Sequence, residues 1–171
     1  MPDTAVATPA FAQTMAAYNG EMDRRVFSAA ARLPDAARRA DGGAFWGSIH
    51  GTLSHLYWGD RMWMARFGVG ERPDVPIAES ANVVADFDDL ADRRITFDDE
   101  IAGWAAALSP RDLEGELTWW SGALEREVTR SRALCVVHMF NHQTHHRGQA
   151  HALITRAGEQ TGATDLPFIL P

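Results

Sequence analysis

Apolar residues recur along the chain at steps of three, four and seven positions, the spacing of one face of an α-helix. This pattern predicts four long helices, at about residues 9–32, 44–67, 80–108 and 131–156. Short stretches rich in proline, glycine and aspartate separate them, which is typical of helix ends. Thr8 and Ser80 are the predicted N-caps of the first and third helices, and Gly158 is expected to close the last one.

The connections and the apolar stripes complete the predicted fold. The stripe of the second helix consists of Phe45, Ile49, Leu53, Leu56, Trp63 and Phe67. Residues 115–130 are the least helical part and can form a hairpin around Ser121-Gly122. The apolar tail, residues 163–171, is expected to pack back on the body. Together these features predict an all-α four-helix bundle of up-and-down type with crossover connections, as one domain over residues 1–171.

Composition excludes several function classes. The 171 residues carry a net charge of −7, and all 16 basic residues are arginine, which excludes a catalytic lysine and a P-loop. An acidic chain without a basic run is a poor nucleic-acid binder. The single cysteine, Cys135, excludes an internal disulfide and a cysteine-based zinc cluster. No apolar stretch approaches the ~20 residues of a membrane span, and the first 13 residues lack signal-peptide features, so a cytoplasmic location is expected.

Histidine is concentrated in the last predicted helix. Five of the seven histidines fall between His138 and His151. Residues four apart on a helix are neighbours, so the pairs His138/His142 and His142/His146 can each bind one metal ion. On a helical wheel, at about 100° per residue, the directions of the apolar side chains of this helix can be summed to give the centre of its apolar face. His146 lies nearest to that centre, and His142 is the next nearest. A metal site inside a bundle therefore favours the second pair.

A catalytic metal site usually has three protein ligands and an open position. His50 and His55 on the second helix, or a carboxylate, are the candidates for the third ligand, and small residues on the flank of His55 leave room for a substrate. Asp60 falls inside the apolar stripe of the same helix. Because a buried carboxylate needs partners, Asp60 either orients a ligand histidine or pairs with an arginine. Isolated helical histidines such as His50 and His151 more often serve packing or lie at the surface.

Two stretches carry a family resemblance. They are FWGSIHGTLSHLYWGDRMWMARF, residues 45–67, and VVHMFNHQTHHRGQAHALITRAG, residues 136–158. They resemble the DinB/YfiT-like superfamily of proposed metalloenzymes, and within it the DinB family, over nearly the whole chain. The resemblance implies a four-helix bundle that binds a divalent metal with three histidines, which fall on His55, His142 and His146.

Further residues are expected around these ligands. Gln149, within the Arg-Gly-Gln that follows the histidine pair, also matches the family pattern. With Asp60 and His138 it is a candidate for an outer position that supports the metal ligands. The resemblance further implies a homodimer, for which Trp119 and Trp120 are candidate interface residues, with the lining of a cavity as their alternative role.

The family resemblance favours a thiol-dependent S-transferase, because relatives use low-molecular-weight thiols. Imidazole ligands suit Zn²⁺ and Ni²⁺ alike. A metal-bound thiol loses its proton and can attack an electrophilic small-molecule substrate, whereas a metal-bound water would give a hydrolase. A closed shell of four ligands, with His138 or Asp60 added, would instead favour a non-enzymatic metal-binding protein of the stress response. A site whose histidines only pack in the core is the remaining alternative.

Overall fold

Long helices make up most of the chain in a computed structural model, which describes residues 6–122 and 124–170. The helices are α1 (Pro9–Ala31), α2 (Asp35–Arg39), α3 (Ile49–Arg66), α4 (Phe87–Ala107), α5 (Arg132–Arg156) and α6 (Leu166–Ile169). Two strands, β1 (Glu116–Ser121) and β2 (Arg126–Ser131), pair antiparallel. The expectation of a mainly helical chain is confirmed, and the hairpin expected within residues 115–130 is present. The signal-peptide prediction falls in part on residues 1–5, outside the described residues.

Side-chain caps set the ends of α1 and α5 where the sequence predicts them. The Thr8 side chain accepts a hydrogen bond from the Phe11 amide at 3.1 Å. Ser131 accepts one from the Leu134 amide, so α5 begins at Arg132. Gly158 follows α5 at a φ of 98°, a conformation that glycine adopts without strain.

The predicted starts of the second and third long helices are wrong, because in both cases the N-cap lies later in the chain. Residues 44–47 form a tight turn in which Gly47 has a φ of 74°, and Ser48 caps α3. Phe45 is therefore not part of the apolar stripe of α3 and is 80% exposed. Asp86 caps α4, while Ser80 lies in a 3-10 helix over Ile77–Asn82. Ser80 thus becomes available for a different contact, described below.

The core lies between the four long helices. α1 packs on α4 and α5, while α3 packs on α5 and on the 3-10 helix over Ile77–Asn82. The apolar residues that are less than 2% exposed include Val26, Met64, Leu90, Phe140 and Ile154. Burying such a side chain stabilises a fold by about 1.5–3 kcal/mol. Packing of α3 against α5 is what brings distant histidines within reach of each other.

The tail packs on the body only in part. The Tyr18 hydroxyl donates a hydrogen bond to the Thr164 carbonyl at 2.6 Å, and α6 contacts α1. Phe168 on α6 is nevertheless 76% exposed. Among the described residues, no helix has both the length and the apolar character that a membrane crossing would require.

Candidate metal centre

Three histidines from two helices meet at the interface of α3 and α5. His55 projects from α3, and His142 and His146 project from successive turns of α5. Each offers one ring nitrogen, and these nitrogens all lie within 4.8 Å of one another. The Nε2 atoms of His55 and His142 are 3.2 Å apart. Two nitrogens bound tetrahedrally to zinc at 2.0–2.1 Å would lie about 3.3 Å apart, so the spacing fits a shared ion.

The three imidazoles are neutral at neutral pH, as metal ligands must be. Burial lowers the pKa of His55 and of His142 to about 3, with repulsion from the neighbouring imidazoles as a further cause. Burial also lowers the pKa of His146. The ring nitrogens thus hold lone pairs that are available to a divalent cation, and protons compete weakly for them.

Ser80 fixes which nitrogen of His55 faces the site. The Ser80 hydroxyl donates its only proton to the Ile77 carbonyl at 2.6 Å. It must therefore accept from His55, whose Nδ1 lies 2.8 Å from the hydroxyl oxygen. With its proton on Nδ1, His55 presents the Nε2 lone pair to the other histidines. Ser80 is a site residue that the sequence pattern alone does not reveal.

Gln149 orients His146 in the same way. The Nδ1 atom of His146 lies 2.9 Å from the Gln149 amide oxygen, which can only accept. The proton of His146 is therefore on Nδ1, and the Nε2 lone pair is left for a ligand. Gln149 also contacts His145, at 3.3 Å. The expected role of Gln149 beside a metal ligand stays a prediction, and this contact is compatible with it.

Gly59 provides the space that His142 occupies. A Cβ atom at Gly59 would lie 2.7 Å from Cε1 of the His142 ring, which is closer than atoms can approach. Among the described residues, the buried Nδ1 of His142 finds no hydrogen-bond partner. The ring is thus held close to α3, with its Nε2 beside that of His55.

Gly59→Ala is expected to weaken Zn²⁺ binding by about 10–100-fold, the range for residues that orient a ligand. The new methyl group displaces the His142 ring, while the higher helix propensity of alanine keeps α3 folded. Competition with a chelating dye measures the affinity. Gly103→Ala is the matched control, because nothing lies within 4 Å of a Cβ at that helical glycine. Equal Zn²⁺ affinity in both variants would contradict the packing argument.

The other residues that the sequence offers as metal ligands or as their supports lie outside the group of three histidines. The His138 ring is 6.0 Å from the His142 ring and packs edge-on against Trp63 at 4.9 Å. His50 is buried elsewhere, with its Nε2 2.9 Å from the Val84 carbonyl. Asp60 contacts none of the three histidines among the described residues, and instead makes the arginine pair that was its alternative role.

A buried ionic cluster lies behind the histidines, and its members are Asp23, Asp60, Arg94, Asp98 and Arg147. Arg94 donates to Asp60 at 2.6 Å, and the Gln143 amide donates to the same carboxylate at 2.9 Å. Gln143 and Arg147 directly follow His142 and His146 along α5. The cluster therefore fixes the rotation of α5 that turns the two histidines towards α3.

The three histidines lie in a cleft of about 930 Å³. Trp46 stacks on the His55 ring at 3.9 Å, and the Trp58 ring lies 5.9 Å from His55 in a nearly parallel orientation. Phe45 and Trp120 line the cleft but are 80% and 66% exposed. The histidine nitrogens are thus accessible to a small molecule through an aromatic opening.

Comparison with models of protein families gives a match. The model of the DinB family matches residues 1–170. Neither the curated proteins nor the solved structures yield a match. Since the family match spans essentially the whole chain, this protein belongs to the DinB family.

Proposed function

We propose that this chain is a divalent-metal-dependent enzyme that transfers a thiol sulfur to an electrophilic small molecule. His55, His142 and His146 hold the ion, Zn²⁺ or Ni²⁺. The observation that carries the proposal is the position of three neutral imidazoles, with nitrogens within 4.8 Å, in an accessible cleft. Three ligands leave a coordination position for a reactant, as in catalytic zinc sites.

When bound, the ion supplies Lewis acidity that makes a coordinated thiol a thiolate at neutral pH. The chain contributes the rest. His138 and His145 line the cleft beside the ligands and can accept the thiol proton. The sulfur then forms a bond to an electrophilic carbon, and the leaving group departs with its electron pair. Trp46, stacked on His55, excludes water from that face of the reacting centre.

A metal-dependent hydrolase is the second candidate. The same histidines, His138 and His145, are equally placed to accept a proton from water. A non-enzymatic metal-binding protein of the stress response would need a closed shell. The His138 ring lies 6.0 Å from the His142 ring, and Asp60 is paired with Arg94; both observations argue against a fourth protein ligand from either residue.

The domain organisation, the type of bundle, the oligomeric state and the cellular location are also proposals. We propose one domain over residues 1–171 and an up-and-down four-helix bundle, supported by the packing of α1 on α4 and α5 and of α3 on α5. A homodimer is supported by the exposed aromatic side chains of Phe45 and Trp120. A cytoplasmic location and the absence of nucleic-acid partners are proposals that rest on composition and on the net charge of −7.

Thiol transfer is tested with monochlorobimane, whose chloride is displaced when a sulfur–carbon bond forms. The full chain loaded with Zn²⁺ or Ni²⁺ is expected to accelerate conjugation of at least one of cysteine, N-acetylcysteine and glutathione. The acceleration should disappear in His142→Ala and persist in His151→Ala, because His151 bonds to Thr161 outside the site. The absence of metal-dependent turnover across these thiols and several further electrophiles would refute the transferase.

A further inference from the structure

One face of α3 gives the cleft two chemically different ends. His55, Gly59, Met62 and Arg66 are spaced four, three and four residues apart, and all of them line the cleft. The helix rises about 16 Å from His55 to Arg66, which are eleven steps of about 1.5 Å apart. The cleft therefore has a histidine end at the three histidines and an arginine end at Arg66.

Arg66 lies over two indole rings, and no acidic partner is found for it among the described residues. Its guanidinium carbon lies 4.4 Å from the Trp63 ring centroid and 5.1 Å from that of Trp119. Within residues 6–122 and 124–170, the side chain makes neither a hydrogen bond nor an ion pair. Burial, with repulsion from Arg72, lowers the pKa of Arg66 to about 10, so the group remains a cation at neutral pH.

Such a guanidinium is an anion site that is already oriented. Some arginines at the surface pair with a neighbouring aspartate, as Arg93 does with Asp89 and Arg39 with Asp35. Arg66 has up to five N–H donors in a planar fork, which matches a carboxylate or phosphate in two-point contact. Contact with the two indole rings limits the freedom that binding would otherwise cost.

The charge at the arginine end is positive. Arg72 also lines the cleft, whereas Asp74 is the single carboxylate among the residues described as lining it. Asp74 forms no ion pair with Arg66 among those residues. Two guanidinium groups against one carboxylate leave an excess of one positive charge, which attracts an anion into the cleft.

The walls between the two ends are aromatic. Five of the six tryptophans of the chain line the cleft. Indole faces bury flat apolar groups effectively and stack on other rings. A ligand that spans the cleft therefore combines an apolar, flat body with a negative charge at the end remote from the histidines.

We propose that the cleft binds an elongated amphipathic anion, with a carboxylate or phosphate on Arg66 and a flat apolar body between the indoles. The proposal rests on the proposed function in one respect only, namely that the reacting end of the ligand lies at the three histidines. Arg66 is then the residue that selects the substrate by charge, and the distance between the two ends selects it by length.

Calorimetric titration of the full chain with matched probes tests this proposal. Biphenyl-4-carboxylate is expected to bind about 10-fold or more tightly than biphenyl-4-carboxamide, because only the former forms charge-assisted hydrogen bonds. Arg66→Gln should abolish this preference, and Arg66→Lys should restore part of it. Biphenyl-4-yl phosphate distinguishes the two anions: whichever of the two binds more tightly is the preferred head group, and either result supports the site.

Arg61→Gln is the matched control. Arg61 lies on the same helix, with its guanidinium over Tyr57 at 5.8 Å and outside the cleft lining, so its removal should leave the preference intact. Equal affinity for carboxylate and carboxamide, binding of neither, or a preference that survives Arg66→Gln would overturn the proposal.

Repeating the titration after chelation separates this site from the metal centre. A carboxylate preference that persists without metal supports Arg66 even if the chain proves to bind no metal and to transfer no thiol. A preference that is present only in the metal-loaded protein would place the carboxylate on the ion and overturn the assignment to Arg66.

Discussion

His142→Ala is expected to abolish stoichiometric metal binding, with the affinity for Zn²⁺ or Ni²⁺ falling by more than about 100-fold, beyond the loss that follows when only an orienting partner is removed. His142 supplies one of three nitrogens, and its Nε2 lies 3.2 Å from that of His55. Plasma mass spectrometry of the untagged protein should give about one Zn or Ni per wild-type chain and almost none in the variant.

His151→Ala provides the control for this prediction, because it removes a histidine from the same helix at a position bonded to Thr161. It should retain the metal. Chelation should lower the melting temperature of the wild type and of His151→Ala, since an ion that binds only the native state stabilises it. His142→Ala should not respond to chelation. Wild-type protein that carries no metal, even after loading, would refute the metal centre.

Local features of the sequence predict the long helices and one pair of the site. The cap Thr8 and the glycine Gly158 act on their own helix ends, so they can be recognised without tertiary information. His142 and His146 share a helical face because they are four residues apart, which needs only helix geometry. This is why the summed apolar direction of α5 selects the pair that lies at the interface with α3.

Contacts between helices could not be derived in this way. His55 is 87 residues from His142 in the chain, and only the packing of α3 on α5 brings their rings together. The choice of His55 over His50 therefore depends on the family resemblance. Ser80 lies in a short 3-10 helix without periodicity, and its place beside His55 depends on Ser54, whose hydroxyl donates to the Ser80 carbonyl. Capping potential predicted the wrong role for Ser80.

The α4 pattern contains a signal for the ionic cluster that apolar periodicity alone overlooks. Arg94 follows Leu90 by four residues and precedes Phe97 by three, so it occupies the buried stripe of α4. Its neighbour Arg93 faces solvent. A charged residue inside an apolar stripe requires a buried counter-charge, and Asp60 is the same irregularity on α3. Taken together, the two residues indicate their own pairing.

Arg94→Met is expected to destabilise the fold by about 3–5 kcal/mol, the cost of leaving buried charges without their partner. Arg94 is fully buried, contacts Asp60 and Asp98, and lies 3.6 Å from Asp23. Burial acts to lower the pKa of Arg94, but the surrounding aspartates raise it above its ordinary value, so the guanidinium is always charged. Urea denaturation measures the loss, with Arg93→Met as a control that should leave the midpoint nearly unchanged.

The loss of stability in Arg94→Met should depend on pH, and the pKa values of the neighbouring aspartates determine the direction. Burial raises the pKa of Asp60 to about 6 and that of Asp98 to about 7, from 3.8, although Arg94 opposes both shifts. The folded state thus binds more protons than the unfolded state between about pH 4 and pH 7, so the contribution of these groups to stability increases as the pH falls through that range. Without Arg94 the carboxyls take up protons more readily, so Arg94→Met should be least stable relative to wild type at pH 7.5 and should recover part of the difference at pH 5. A difference that is independent of pH would show that the cost arises from lost packing of the arginine side chain and not from unpaired carboxylates.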